Sequence, residues 1–292
     1  MQTPTSRGIR SAQFGMLVNA GLAAIKLVAG LVGNAYVLVA DAIESMADVV
    51  SSLIVWSGLR YAGRAPDEDY PFGYGKAEAV AAAAVALLLL GAAVGIAWEA
   101  VQEIRTPHHT PAPWTLAVLV GVMLTKFLLS RRVRAVGKDI DSTAIKADAW
   151  HHMSDAITSA AAFIGISVAL LAGPGWESAD DWAAIVAAGI IAFNGASMLR
   201  KSLHELMDRT PGDAVVRPVR TAAEAVEGVL ATEKLAVRKS GLAYRVTIHV
   251  QADPAMSLDD AHVLSGKVKH AIREAVPGVQ SVLVHMEPHQ PG

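Results

Sequence analysis

The sequence predicts an α-helical membrane protein with six transmembrane helices, followed by a small α/β domain. Three observations carry that expectation: long apolar runs, basic residues gathered at one set of run ends, and a change of composition near residue 208. Of 292 residues, 53% are hydrophobic and 18% are charged, where a soluble domain carries roughly 25% charged residues. Mean hydropathy is +0.38. Charged residues form about 16% of residues 1–208 and about 23% of residues 209–292, so the expected domains are 1–208 and 209–292. A formal net charge of −2 sets up no field that would gather polyanions, which excludes nucleic acid as a partner. The absence of cysteine excludes disulfides, thiolate metal sites and cysteine nucleophiles.

A helix needs about 20 apolar residues to cross a bilayer. Ala79–Trp98, Ala156–Trp176 and Trp182–Leu199 are uncharged runs of about that length, and Thr110–Thr125 continues past Lys126 through Ser130. Phe14–Leu31 holds Lys26, and Tyr36–Leu59 holds Asp41, Glu44 and Asp48. The six expected spans are therefore 12–33, 36–60, 77–102, 112–135, 142–172 and 178–203. One set of ends carries Arg7, Arg10, Arg60, Arg64, Lys76, Arg131, Arg132, Arg134, Lys138, Arg200 and Lys201. The opposite set carries only Arg105 among basic residues. Lys/Arg bias sets orientation, so both termini are expected in the cytoplasm of a multi-pass protein of the cell membrane. The polar start shows no compelling cleavage pattern for a signal peptide.

Two spans contain the same phrase. Residues 40–48 read A-D-A-I-E-S-M-A-D and residues 147–155 read A-D-A-W-H-H-M-S-D, identical at five of nine positions. The trios Asp41, Glu44, Asp48 and Asp148, His151, Asp155 each fall at i, i+3, i+7, on one helix face. A charge at mid-membrane costs on the order of 2.5–3.5 kcal/mol on insertion scales, so two such stripes must face each other or a water-filled cavity. The inner pairs Glu44/Asp48 and His151/Asp155 would offer three carboxylates and an imidazole to one divalent ion. Protons compete with metal for those same groups, which is the physical basis of antiport. His151 is the expected pH-sensitive member, because imidazole titrates in the working range. Asp41 and Asp148 either line the access path or hold hydrogen-bond networks beside the site. Lys26 and Lys126 read as interhelical partners or snorkelling groups.

These residues resemble the cation diffusion facilitator family of metal–proton antiporters. The motifs are L-V-A-D-A-I-E-S-M-A-D-V-V-S-S (38–52), D-E-D-Y-P-F-G-Y-G-K-A-E (67–78) and A-D-A-W-H-H-M-S-D (147–155). The resemblance implies that Glu44, Asp48, His151 and Asp155 form the transport site of a homodimer that exports metal from the cytoplasm in exchange for protons. It favours Zn²⁺ or Fe²⁺ as substrate and regulator rather than as a cofactor, leaves Mn²⁺, Co²⁺ and Cd²⁺ open, and suits a bacterial inner membrane, with lipid as the surrounding partner. Two departures stand out. Glu44 replaces the family's usual Asp or His, and Tyr70 and Tyr74 replace the histidines of the loop after the second helix. A metal site on that loop, with Asp67 alone remaining, is expected to be absent or very weak. Lys76 and Asp208 match residues that the family pairs in a salt bridge across the dimer.

After Asp208, Pro211 and Gly212 read as a linker. A helix is expected at Pro218–Leu230, strands at Lys234–Lys239 and Ala243–Gln251 about a Ser240-Gly241 turn, a helix from Ser257 to about Val276, and a strand at Gln280–Met286. Ser257 with Asp260 forms a capping box. The order αββαβ gives a small open sandwich, similar to the family's metallochaperone-like domain. That resemblance makes His249, His262, His285 and Glu287, with Glu233, the candidate cytoplasmic metal ligands. His270 and His289 read as solvated residues, and the adjacent His108 and His109 as incidental. Two other functions fit the sequence less well. An intramembrane metalloenzyme needs a motif such as H-E-x-x-H, which this sequence lacks, so no enzymatic activity is expected. A membrane-anchored metal sensor needs no matched polar stripes.

Overall fold

Pro4 opens the first helix, where its missing N–H leaves no intrahelical bond unmade. The computed structural model describes residues 3–32, 36–105, 115–172, 176 and 179–289. Six long helices come first: α1 Pro4–Val32, α2 Tyr36–Ala62, α3 Ala77–Arg105, α4 Thr115–Asp139, α5 Thr143–Ala172 and α6 Ala179–Leu206. The shortest has 25 residues, about 37 Å at 1.5 Å per residue, which exceeds the roughly 30 Å hydrocarbon core. Several outrun the apolar spans. The first begins near residue 4 rather than 12, and the fourth reaches Asp139 rather than 135, because the polar turns beyond the apolar stretch stay helical. Among the described residues, α3 and Asp181–Leu206 are the helices apolar enough to cross a membrane by composition alone. α2, α4 and α5 carry the buried polar groups described below.

The chain forms two compact units, Met1–Leu203 and His204–Gly292. In the first, α1 packs on α2 and α4 on α5, while α2 also meets α3 and α5. Gly58 brings α2 hard against α3: a Cβ there would lie 2.3 Å from Ala81 Cβ. The corner between α4 and α5 is tight. Asp141 takes the left-handed conformation (φ 50°), which a short polar side chain tolerates. The amides of Ser142 and Asp141 bond back to the carbonyls of Gly137 and Lys138, the Schellman pattern of a helix end. Ser142 then caps α5 by accepting from the Ile145 amide at 3.1 Å. Glu78, fully buried in the first turn of α3, accepts from Ser142 Oγ at 2.5 Å and from the Ala144 amide at 3.3 Å. A carboxylate on α3 thus caps the N-terminus of the helix that carries His151 and Asp155, where the helix dipole favours negative charge.

The second unit contains α7 Asp213–Glu224, β1 Ala231–Ser240, β2 Ala243–Ala252, α8 Leu258–Ala275 and β3 Val279–Pro288. Its αββαβ order is the expected one, but α7 lies five residues earlier than Pro218–Leu230. Gly212 rather than Pro218 marks its start, and Pro218 lies inside it. The chain leaves α7 by turns through Gly228 (φ 97°), so residues 225–230 are not helical. The sheet order is β1-β2-β3, with β1/β2 antiparallel and β2/β3 parallel. Gly241 (φ 65°) makes the hairpin turn. Ser257 Oγ accepts from the Asp260 amide at 3.1 Å as the cap of α8. Alternation along β2 sends Val246, Ile248 and Val250 into a core with Val219, Val268 and Ile272. His249 is left on the other face.

Candidate metal centre

One helical turn separates His151 from Asp155 on α5, and α2 brings Asp48 to them. His151 Nε2 lies 2.9 Å from Asp48 Oδ1. Asp48, His151 and Asp155 each offer a ligand atom, and these atoms all lie within 4.8 Å of one another. The surroundings are largely buried, although the Asp155 side chain is 23% exposed. Asp48 is 5% exposed and Lys126 2%, and Asn19, Ser51, Ser52, Asp148 and His152 are fully buried.

Lys126, from α4, stands inside this cluster. Its ammonium donates to Asp155 Oδ2 at 2.9 Å, to Asn19 Oδ1 at 3.1 Å and to Asp48 Oδ2. Of the two roles the sequence leaves to Lys126, interhelical partner and snorkelling group, these bonds fit the first, but nothing in the sequence points to its place between the two carboxylates. A single lysine in an apolar run carries no periodic signal, and its partners lie 107, 78 and 29 residues away.

Asp148 accepts from Ser52 Oγ at 3.3 Å and lies 3.8 Å from His152 Nε2. Of its two expected roles, this geometry suits the hydrogen-bond network beside the site. Gly15 on α1 lets that network close, since a Cβ there would lie 3.3 Å from His152 Nε2. Asp41 and Glu44 belong to α2, but their side chains, like that of Lys26, lie outside the described residues. So do His108 and His109.

The loop between α2 and α3 has its own arrangement. Tyr74 donates its hydroxyl to Asp67 Oδ2 at 2.6 Å, and the Tyr70 amide donates to Asp67 Oδ1 at 2.8 Å. The bond from Tyr74, then that from Tyr70, holds the Asp67 carboxyl below its ordinary pKa of 3.8. The same bond to Asp67 raises the Tyr74 phenol above 10.0. A tyrosine therefore occupies the carboxylate that a histidine-bearing loop would leave to a metal.

In the soluble unit, parallel pairing sets His249 of β2 opposite His285 of β3, their rings 4.7 Å apart. His249 Nδ1 lies 2.7 Å from Glu287 Oε1, and His285 Nε2 is 3.6 Å from the same oxygen. The hydrogen bond from His249 lowers the Glu287 pKa. These three form a second group whose ligand atoms fall within 4.8 Å of each other. Glu233, opposite His249 on β1, accepts instead from Gln251 Nε2 at 2.5 Å. His262 is exposed on α8, and neither it nor Glu233 joins the trio within one chain.

Asp208 closes α6. It is left-handed (φ 57°), its amide bonds to the Glu205 carbonyl and that of Arg209 to the His204 carbonyl, and its carboxylate accepts from Arg238 at 2.9 Å. The expected bridge from Lys76 to Asp208 joins two chains, and within this chain the two residues lie in different compact units.

Comparison with known proteins gives a consistent family. Residues 12–207 match the cation efflux transmembrane domain, and residues 211–289 match the cation efflux protein cytoplasmic domain. Metal tolerance protein C1 of Arabidopsis thaliana is 28% identical, aligned over 98% of this chain and 64% of its own length. The manganese efflux system protein MneP of Bacillus subtilis is 28% identical, aligned over 94% of each chain. A solved MamM C-terminal domain in a cadmium form is 26% identical, covering 27% of this chain and 98% of that one, with a TM-score of 0.26. The two domain matches together take in most of the sequence, and they are consecutive in the order that the six helices and the αββαβ unit follow. The chain therefore belongs to the cation diffusion facilitator family, whose members are membrane transporters that carry metal cations as substrates and are not enzymes.

Proposed function

We propose that this protein exports a divalent transition-metal cation from the cytoplasm by alternating access, in exchange for protons, as a homodimer with both termini in the cytoplasm of a bacterial inner membrane. Glu44, Asp48, His151 and Asp155 form the transport site. The approach of His151 to Asp48, 2.9 Å across α5 and α2, is the observation that carries this reading, because it joins the two copies of the repeat. An imidazole lone pair and carboxylate oxygens take either metal or protons. A gradient of one can therefore drive the other. Asp41 lies on the access path, and Asp148 holds α2 to α5 beside it.

The family resemblance favours Zn²⁺ and Fe²⁺, while the oxygen-rich donor set and the similarity to the manganese efflux system protein MneP keep Mn²⁺ open. Co²⁺ and Cd²⁺ fit the same donors. On the soluble domain, His249, His285 and Glu287, with Glu233 and His262 available between two copies, bind the same metal as a regulator. Lys76 and Asp208 clamp the dimer by a salt bridge. The test is uptake of a panel of these metals into sealed vesicles containing the purified full-length protein, with lumenal acidification as the driving force. Accumulation of one or two metals that also releases lumenal protons is expected. Accumulation of none overturns the proposal.

A further inference from the structure

An ammonium carries three N–H donors and no acceptor. Lys126 directs its ammonium at Asp48 Oδ2, Asp155 Oδ2 and Asn19 Oδ1, which uses all three. The two carboxylates belong to different copies of the repeat, Asp48 on α2 and Asp155 on α5. Asn19, on α1, adds a neutral acceptor that fixes the direction of the lysine without taking its charge. At 2% exposure this side chain has not snorkelled to the interface, although a lysine stem is long and flexible enough to do so. It is held in the site by its partners.

We propose that Lys126 is the site's own counter-cation: its ammonium holds the place between Asp48 and Asp155 that the transported metal takes, leaves when metal arrives and returns when metal goes. This rests on the reading of Asp48, His151 and Asp155 as the transport site. Metal–oxygen bonds of about 2.0–2.2 Å put an ion bound to these oxygens in the volume that the ammonium fills. Even an ion on the opposite carboxylate oxygens would lie close enough to be strongly repelled beside so buried an ammonium. Metal and ammonium are thus alternatives.

The exchange serves transport at two points. A resident cation makes every metal ion displace a competitor, which weakens binding and eases release. The empty carrier must also return, and two facing carboxylates without a cation between them would push α2 and α5 apart. Lys126 keeps that empty state packed. Removing its charge should therefore tighten metal binding and slow turnover together, whereas a purely structural lysine would impair both.

The test compares Lys126→Met, Lys126→Arg and Asp155→Ala with the wild-type chain, as full-length protein in vesicles, using the metal that the wild type transports best. Lys126→Met should lower KM by about tenfold or more and lower the maximal rate by at least a similar factor, a split that separates binding from turnover. Lys126→Arg, which keeps the charge, should hold both within a few fold of wild type. An unchanged or raised KM in Lys126→Met, with uptake still abolished by Asp155→Ala, overturns the role of Lys126 and leaves the site standing. Uptake unaffected by Asp155→Ala overturns the site itself. A measurement on the wild type alone guards against a variant that does not fold. Acylation of lysines, read by mass spectrometry, should find Lys126 protected in the metal-free protein and more reactive when the metal is added. Equal reactivity in both states contradicts displacement.

Discussion

His151 Nε2 lies 2.9 Å from Asp48 Oδ1, joining helices whose site residues are 103 positions apart in the chain. The contact places one copy of a nine-residue phrase against the other. In the proposed exchange of metal for protons, His151 is the residue at which the two would compete most directly. His151→Ala should weaken metal binding by at least the roughly 10–100-fold that changes to metal-site support groups cost. It should also flatten the pH dependence of binding between about pH 5.5 and 7.5, the ordinary range of imidazole. Isothermal titration of the full chain at several pH values checks both. An intact pH profile would assign the protons to the carboxylates.

The cap on α5 predicts a stability effect. Ser142→Ala removes the acceptor for the Ile145 amide and the donor to buried Glu78. It should cost about 1–2 kcal/mol, the size of a lost N-cap bond together with a buried hydrogen bond. Thermal unfolding of the detergent-solubilised protein measures it. Glu78→Gln should be milder, since an amide oxygen still accepts.

Between α2 and α3, the Tyr74–Asp67 hydrogen bond makes a paired titration prediction. Tyr74 should ionise above 10.0 in the intact chain, and Asp67→Asn should bring it back down. Difference absorbance between each protein and its Tyr74→Phe counterpart isolates this phenol from the other tyrosines. Because the Asp67 pKa is lowered on folding, its contribution is present above the ordinary value of 3.8 and fades as pH falls through the folded value. The loop should loosen in acid below about pH 4 and hold at neutral pH.

On the soluble domain, His249→Ala removes the member of the trio that lies closest to Glu287, at 2.7 Å. In the regulatory role proposed above, metal on this trio draws the soluble domains of the two copies together. The full-length variant should lose that response, measured as the distance between labels on the two copies, while vesicle uptake stays measurable. Complete loss of uptake would contradict a regulatory role.

Much of this architecture was legible because its signals are periodic. Apolar runs marked the helices, alternation at Val246, Ile248 and Val250 marked the buried face of β2, and the repeated polar phrase marked the stretches of α2 and α5 that bring Asp48 to His151 and Asp155. What stayed hidden depends on single residues acting over long separations. Glu78 ends a loop motif and looks like an ordinary first-turn acid of α3, yet it caps α5. Lys126 looks like a breach in an apolar run, yet it fills the space between Asp48 and Asp155. Pro218 misled the start of α7 because proline favours a first turn, and Gly212 and Asp213 begin the helix before it.

Transport through Asp48, His151 and Asp155 is tested most directly by proton-driven metal uptake into vesicles holding either the wild-type chain or Asp155→Ala at equal protein content. Metal accumulation coupled to proton release is expected in the wild type and background uptake in the variant, with both proteins equally folded. Equal uptake by the two would contradict it.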